Sequence, residues 1–155
     1  MGTFSKILFS SPRLGYVILP ETLVEPFVAL RWLTDFQSFS LQQSAMALWM
    51  TEGHHQQHIR RIRKIYNQRR NNLVDSLHRR FPAGDFNLSG DNAGLHILVW
   101  LNTIKASQQN QLMTACQIRL VGIFPVDIKG DENEQCGLTL GFIAITENDI
   151  DEGIK

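Results

Sequence analysis

The chain has 155 residues, of which 43% are apolar and 19% are charged, and its formal net charge is zero. This is an ordinary globular composition, and no apolar run approaches the roughly 20 residues that a membrane-spanning helix needs. The first residues lack the basic and apolar segments of a secretory signal, and the two cysteines have no CxxC spacing. We therefore expect a cytoplasmic protein with reduced thiols and no membrane partner.

The first half of the chain reads as one short strand followed by helices. Leu14 to Leu19 is a run of strand-forming residues that Pro20 stops. The helices are predicted at Glu21 to about Leu33, Leu41 to Met50 and His54 to Phe81. Pro26 is tolerable in the first of these only if that helix starts late, because proline is accepted in the first turn and disrupts the helix interior.

The second half alternates strands and helices. Thr146 and Asp149 are the N-cap and N3 residues of a capping box that opens a final helix. This order indicates an α/β or α+β layout. We expect the chain to be part of a larger fold. On its own, it should expose the apolar surfaces of Leu41–Met50 and Leu14–Leu19, since these lack partners. The other predicted elements are strands at Leu95–Leu101, Val121–Pro125 and Gly137–Ile145, with a helix from Gln108 to about Leu120.

Lys6 is the first residue whose surroundings suggest chemistry. A lysine amine acts as a nucleophile or forms a Schiff base when its environment activates it. The hydroxyls of Thr3 and Ser5 and the guanidinium of Arg13 suit a phosphate, and a reactive lysine beside phosphate ligands is what pyridoxal phosphate (PLP) requires. On residue types alone, an exposed lysine near a terminus is the simpler interpretation. An S-x-x-K site is disfavoured, because no SDN or KTG motif follows.

Four regions of the chain, in the same order, resemble class I aminotransferases. The likeness is strongest to the MocR/GabR group of bacterial GntR-type regulators, which carry the GTFSK–RLGY and HIRRxR motifs. These regions are Gly2–Tyr16, Glu52–Arg70, Ala93–Leu101 and the closing strands Gly122–Pro125 and Leu138–Phe142.

The resemblance implies a fragment of the PLP-dependent transferase fold type I, an α/β fold. Residues 1–52 would be the end of the large PLP-binding domain. Residues 53–155 would be the long connecting helix and the small C-terminal α+β domain, with its final helix truncated. Lys6 would hold PLP as a Schiff base, Thr3 and Arg13 would bind its phosphate, and Ser5 would lie beside the lysine.

The resemblance also implies the partners of the intact parent protein. These are a small amine or amino-acid effector, a second copy in a homodimer, and DNA bound through an N-terminal winged-helix domain that is not in this chain. The family's pyridine-nitrogen aspartate, its ring-stacking aromatic and its glycine-rich phosphate turn also precede the lysine. We therefore expect the fragment to bind PLP weakly and to be inactive alone.

Thr139 departs from the enzymes of this class. They carry an arginine three residues before the aromatic of the closing strand, where it binds the substrate carboxylate, and threonine cannot form that bidentate pair. Ordinary transamination is therefore in doubt, which favours an effector-sensing domain of a regulator. A fragment of a free-standing amino-acid aminotransferase is the alternative, and a small domain that acts only in protein interactions is another.

The remaining candidates have structural interpretations. Residues 54–80 hold eight Lys/Arg and one acid, which favours a solvated face and interdomain contacts over a nucleic-acid surface. His54 and His58 have metal-ligand spacing without a third ligand, so we expect no metal site. His96 alternates within an apolar strand and is expected to be a hydrogen-bonded core histidine. Met46, Trp49 and Met50 are expected in the core or an interface.

Overall fold

The computed structural model describes residues 1–6, 13–36, 39–90, 94–118, 121–126 and 135–155, which form two compact units, Met1–Arg63 and Lys64–Lys155. The first unit contains β1 (Gly2–Thr3), β2 (Gly15–Tyr16), α1 (Glu21–Asp35), α2 (Ser40–Thr51) and the start of α3 (His54–Arg80). The second contains the rest of α3, then β3 (Phe86–Ser89), β4 (His96–Lys105), a 3₁₀ turn (Ala106–Gln108), α4 (Gln109–Ile118), β5 (Phe124–Pro125), β6 (Gln135–Gly141) and α5 (Glu147–Gly153).

The predicted strand Leu14–Leu19 is much shorter than expected and does have a partner. Only Gly15 and Tyr16 are extended, and they pair antiparallel with β1, placing Gly2 opposite Tyr16 and Thr3 opposite Gly15. The apolar run continues beyond this pair without a neighbouring strand among the described residues, and Ile18 is 82% exposed. The strand therefore ends where its backbone partner ends.

Helix α1 begins at Glu21 and contains Pro26, so the prediction of a late start is wrong. Proline lacks the N–H that would bond to the carbonyl oxygen of Thr22 one turn earlier. No residue of α1 is buried, so water can hydrate that carbonyl. The solvated surface of this helix explains why an interior proline is tolerated.

Helices α1 and α2 carry exposed apolar side chains, which confirms the expected exposure. Leu41 and Leu48 on α2 are 78% and 59% exposed, and neither helix has a buried residue. Met46 and Trp49 are half-buried, whereas Met50 is exposed. Among the described helices, none combines the length and hydropathy of a membrane span.

Aromatic rings connect β1 to the first turn of α3. Gly53, with φ of +80°, separates α2 from α3 and allows the chain to turn back. The ring of His55 then lies edge-on to Trp49 at 5.1 Å and to Phe4 at 6.3 Å between centroids. Phe4 also contacts Tyr16 at 5.7 Å, so β1 is held between β2 and the start of α3.

The second unit is built on an antiparallel sheet in the order β3-β4-β6-β5. Ile97 and Val99 on β4 are 1% and 2% exposed and face the core, which α3 and α5 cover. His96 is exposed, so the prediction of a core histidine is wrong, because residues that alternate with Ile97 face away. The strand β3 was not predicted, because its four residues are too few for a strong alternation signal.

Polar contacts join α5 to α3 beside this core. The fully buried hydroxyl of Ser76 donates to the carboxylate of Asp151 and accepts from Arg79, whose Nη2 is 2.8 Å away. Arg79 also pairs with Asp151 at 2.8 Å. At the start of α5, Thr146 and Asp149 form the predicted capping box, which is confirmed. The short final helix is therefore fixed both at its cap and along the side that contacts α3.

We expect stability to fall in acid. The hydrogen bond from Ser76, with the charges of Arg79 and Arg80, lowers the pKa of Asp151, and hydrogen bonds from Thr146 lower that of Asp149. Because both pKa values lie below the unfolded value of 3.8, their stabilisation is complete above it and is lost as pH falls through the folded values. Urea unfolding at neutral pH and below pH 3.8 measures the loss.

Asp151→Asn should reduce this acid-dependent loss of stability. Asp75→Asn, which changes an exposed acid on α3, should leave it unchanged. An Asp151→Asn protein with the same pH dependence as the parent would contradict the assignment.

We expect His55→Phe to stabilise the first unit. Among the described residues, Nε2 of His55 is buried without a hydrogen-bond partner, which typically costs about 1–3 kcal/mol. Phenylalanine keeps the ring contacts with Phe4 and Trp49 and removes the unpaired nitrogen. The unfolding free energy should rise by about 1 kcal/mol. His54→Phe is the matched control without a gain, since His54 is exposed and lies 3.2 Å from Glu52. Destabilisation by His55→Phe would show that the nitrogen is satisfied in solution.

Candidate functional site

The structure brings together the two hydroxyls that precede Lys6. Oγ1 of Thr3 lies 3.2 Å from Oγ of Ser5 and 3.4 Å from the carbonyl oxygen of Leu14. It also accepts the backbone N–H of Ser5 at 3.2 Å. A hydroxyl has one hydrogen to donate, so Thr3 satisfies these contacts by donating to Leu14 and accepting from the Ser5 hydroxyl. The two side chains therefore form one hydroxyl pair at the end of β1.

The backbone of β2 fixes this hydroxyl pair. The N–H of Phe4, between Thr3 and Ser5, donates to the carbonyl oxygen of Leu14 at 3.0 Å. A Cβ on Gly15 would lie 2.8 Å from the carbonyl oxygen of Gly2, so only glycine permits the observed approach of the two strands. Leu14 thus receives both a backbone and a side-chain hydrogen bond from the lysine segment.

Arg13 directly precedes this acceptor and has a strained backbone. Its φ is 50°, in the left-handed region that costs an ordinary residue about 1–2 kcal/mol. Such strain persists where surrounding contacts enforce it, and it is concentrated at functional sites. The pairing that follows at Gly15 and Tyr16 supplies the enforcing contacts, and the side chain of Arg13 is exposed.

Lys6 is exposed in the turn that follows Ser5. Within the described ranges, its ammonium makes no ion pair or hydrogen bond. Residues 7–12, which join it to Arg13 and include the Ser-Ser-Pro segment at 10–12, lie outside the described residues. The structure thus places the hydroxyl of Thr3 against that of Ser5, and Arg13 next in sequence to Leu14, which accepts from Thr3. The binding roles of Lys6, Thr3, Ser5 and Arg13 remain predictions.

The donor set at this site fits a phosphate ester that carries an aldehyde. Two hydroxyls and a guanidinium donate hydrogen bonds to phosphate oxygens, and a primary amine condenses with an aldehyde. The ring of Tyr16 lies against Gly2, where a Cβ would be 2.6 Å from it. The residues present are therefore compatible with PLP.

Thr139 lies on β6 in the second unit, opposite Leu98 on one side and Phe124 on the other. Its side chain is half-buried, and it carries no charge with which to bind a carboxylate. Phe142, the aromatic that follows the strand, is only 3% exposed and belongs to the core. Thr139, the position that the resemblance assigns to the carboxylate-binding arginine, is thus a regular strand position in a packed sheet.

The other candidates have structural roles. Arg69 donates to the carbonyl oxygen of Ile143, and Arg80 donates to that of Asp151 at 3.3 Å. These contacts account for part of the basic face of α3. In the described part of the chain, no three histidine, cysteine or carboxylate side chains are grouped as metal ligands. Sequence reasoning missed Phe4 and Leu14, whose only signal is their position beside Thr3 and Arg13.

The chain is similar to known proteins along its whole length. The family model for aminotransferase class I and II matches residues 1–138. An uncharacterised HTH-type transcriptional regulator of Bacillus subtilis, YdeL, is 31% identical over 156 residues, which cover 100% of this chain and 33% of the relative. The probable rhizopine catabolism regulatory protein MocR of Rhizobium meliloti is 30% identical over 100% of this chain and 31% of its own length.

A solved structure shows the same fold. The kynurenine aminotransferase of Pyrococcus horikoshii, crystallised with PMP, superposes with a TM-score of 0.80 at 24% sequence identity and covers 99% of this chain and 37% of its own. The chain thus spans about a third of the length of the proteins it matches, and it has an α/β fold that is part of the larger fold of PLP-dependent aminotransferases. With its family match covering most of its residues, the chain belongs to the aminotransferase class I and II family.

Proposed function

We propose that this chain is the C-terminal part of the PLP-binding effector domain of a MocR-type transcriptional regulator. The observation that carries the proposal is the similarity to MocR and YdeL, two proteins named as regulators, over the whole chain. Thr139 supports it, since the strand lacks the arginine that binds a substrate carboxylate in the enzymes. The chain alone is proposed to be catalytically inactive.

In this proposal the hydroxyl pair and its neighbours hold the cofactor. Arg13 donates hydrogen bonds to its phosphate, and the hydroxyl of Thr3 turns from the carbonyl oxygen of Leu14 to donate to the phosphate when the cofactor binds. Ser5 supports Thr3 through the contact between their hydroxyls. Lys6 supplies the amine. PLP, when bound, contributes an aldehyde that exchanges between amines. Phe4 keeps the segment in place through its hydrogen bond to Leu14.

The proposed regulator senses a small amine or amino acid. An effector shifts a conformational equilibrium only through a difference in its affinity for the two states, so sensing does not require turnover. In the intact protein, a homodimer would pass this shift to DNA through a winged-helix domain outside this chain. The proposed boundary between the large-domain and small-domain parts remains at residues 52 and 53, next to Gly53 and its positive φ.

Labelling of Lys6 by PLP tests the site. The chain is treated with PLP, reduced with borohydride and digested for mass spectrometry. We expect weak labelling that favours Lys6 over the exposed Lys105, because Lys105 has hydroxyls nearby in sequence, Thr103 and Ser107, but no arginine that corresponds to Arg13. Arg13→Gln should remove the preference, and Arg61→Gln, at an exposed arginine of α3, should leave it intact. Equal labelling of both lysines would contradict the cofactor role.

The coding sequence upstream of this segment tests the regulator. A winged-helix region followed by the rest of a PLP-binding domain is the expected result, since the relatives named as regulators are about three times the length of this chain. An upstream region that encodes only the remainder of an aminotransferase would favour the free-standing enzyme.

A further inference from the structure

The second unit contains a cavity that its own side chains do not fill. Its volume is about 450 Å³, whereas close-packed interiors have few voids larger than a water molecule. It lies between two apolar clusters on the sheet, one around Leu73 and Ile150 and the other around Ile123 and Leu138. The volume falls within the roughly 300–1,000 Å³ of small-molecule pockets.

The wall of this cavity has an apolar interior and an acidic rim. Leu77 and Val99 are 3% and 2% exposed and form part of its deep wall. Asp85 is half-buried, and Asp149 is exposed, so the carboxylates lie where the cavity opens to solvent. The described lining residues include no lysine, arginine or histidine. An anionic head group would therefore meet like charges, whereas a cation would meet opposite ones.

We infer that this cavity binds a small amphipathic amine, with its apolar body between the two clusters and its ammonium at the acidic rim. Burial of apolar surface supplies the attraction, at roughly 25 cal/mol per Å². Charge-assisted hydrogen bonds to a carboxylate orient the head group. The site is non-covalent and lies within Lys64–Lys155, so it is independent of Lys6 and of the proposed cofactor.

The backbone of Asp85 and the carboxylate of Asp149 are held by the fold. The N–H of Asp85 donates to the carbonyl oxygen of Pro82 at 3.2 Å, and its own carbonyl oxygen accepts from Asn102 at 2.8 Å. The capping box binds Oδ2 of Asp149 to Thr146. The hydrogen bonds from Thr146 lower the pKa of Asp149, which keeps its charge at neutral pH. An amine therefore meets groups that need little ordering on binding.

Gly122 offers a way to fill the cavity. It lines the wall, a Cβ placed on it meets no atom within 4 Å, and its φ is outside the left-handed region. A larger side chain can therefore enter open space without backbone strain. Gly122→Phe should occupy the volume that the apolar body of the ligand needs.

Methyl NMR spectra of the full 155-residue chain test the inference, with octylamine as the probe and octanoate as its matched acid. Octylamine should shift the methyl signals of Ile123, Leu140 and Ile150 in a saturable manner, and octanoate should not. Asp85→Asn should weaken octylamine binding about tenfold, as expected for a charged hydrogen bond. Asp75→Asn, an exposed acid outside the cavity wall, should not weaken it.

Three results would overturn the inference. These are an absence of shifts in the folded wild-type chain, equal binding of octanoate, and unchanged binding to a folded Gly122→Phe protein. Shifts of the same methyl groups with protein concentration alone would also overturn it, since they would assign the cavity to a second copy of the chain. The wild-type titration decides the question even if the variants fail to fold.

Discussion

The contact between β1 and β2 is the constraint on which the candidate site depends. Two residues from each strand pair, and the carbonyl oxygen of Leu14 accepts from both the backbone of Phe4 and the hydroxyl of Thr3. Gly15 permits the two strands to approach closely. This approach brings the backbone at Arg13 near Thr3, although the two residues are distant in sequence. The pairing thus brings the segment that contains Arg13 next to the hydroxyls of the lysine segment, and these are the residues that we propose to hold the phosphate.

The two units are organised by different physical terms. In the second unit, apolar side chains of α3 and α5 cover one face of a four-stranded sheet, and the hydroxyl of Ser76 anchors Asp151 and Arg79 beside that core. In the first unit, α1 and α2 bury no residue. There the rings of Phe4 and Trp49 pack against the ring of His55. The proposed cofactor lysine thus belongs to the less buried unit, whereas the proposed amine cavity belongs to the better packed one.

The sequence predicted the elements whose signals are local. The helix predicted at His54 to Phe81 matches α3, and Thr146 with Asp149 identified the start of α5. Two-residue strands such as β1 carry no periodicity, so the pairing with β2 could not be predicted. His96 was misassigned because alternation alone does not reveal which face of a strand is buried. Pro26 was misjudged because the rule for prolines assumes that the freed carbonyl lacks water.

For the site, residue types were predictable, but contacts were not. The motif around Lys6 selected Thr3, Ser5 and Arg13. The role of Leu14 as acceptor for the Thr3 hydroxyl depends on the pairing of β1 with β2, which the sequence does not reveal. The cavity likewise depends on how α3, α4 and α5 meet the sheet, which no motif encodes.

The most direct test of the central claim is an experimental structure of this protein, in its full natural length, with PLP. The account predicts electron density that joins the cofactor to Nζ of Lys6, with its phosphate within hydrogen-bond distance of Thr3 and Arg13. A cofactor attached to another lysine, or a phosphate held by other residues, would contradict it.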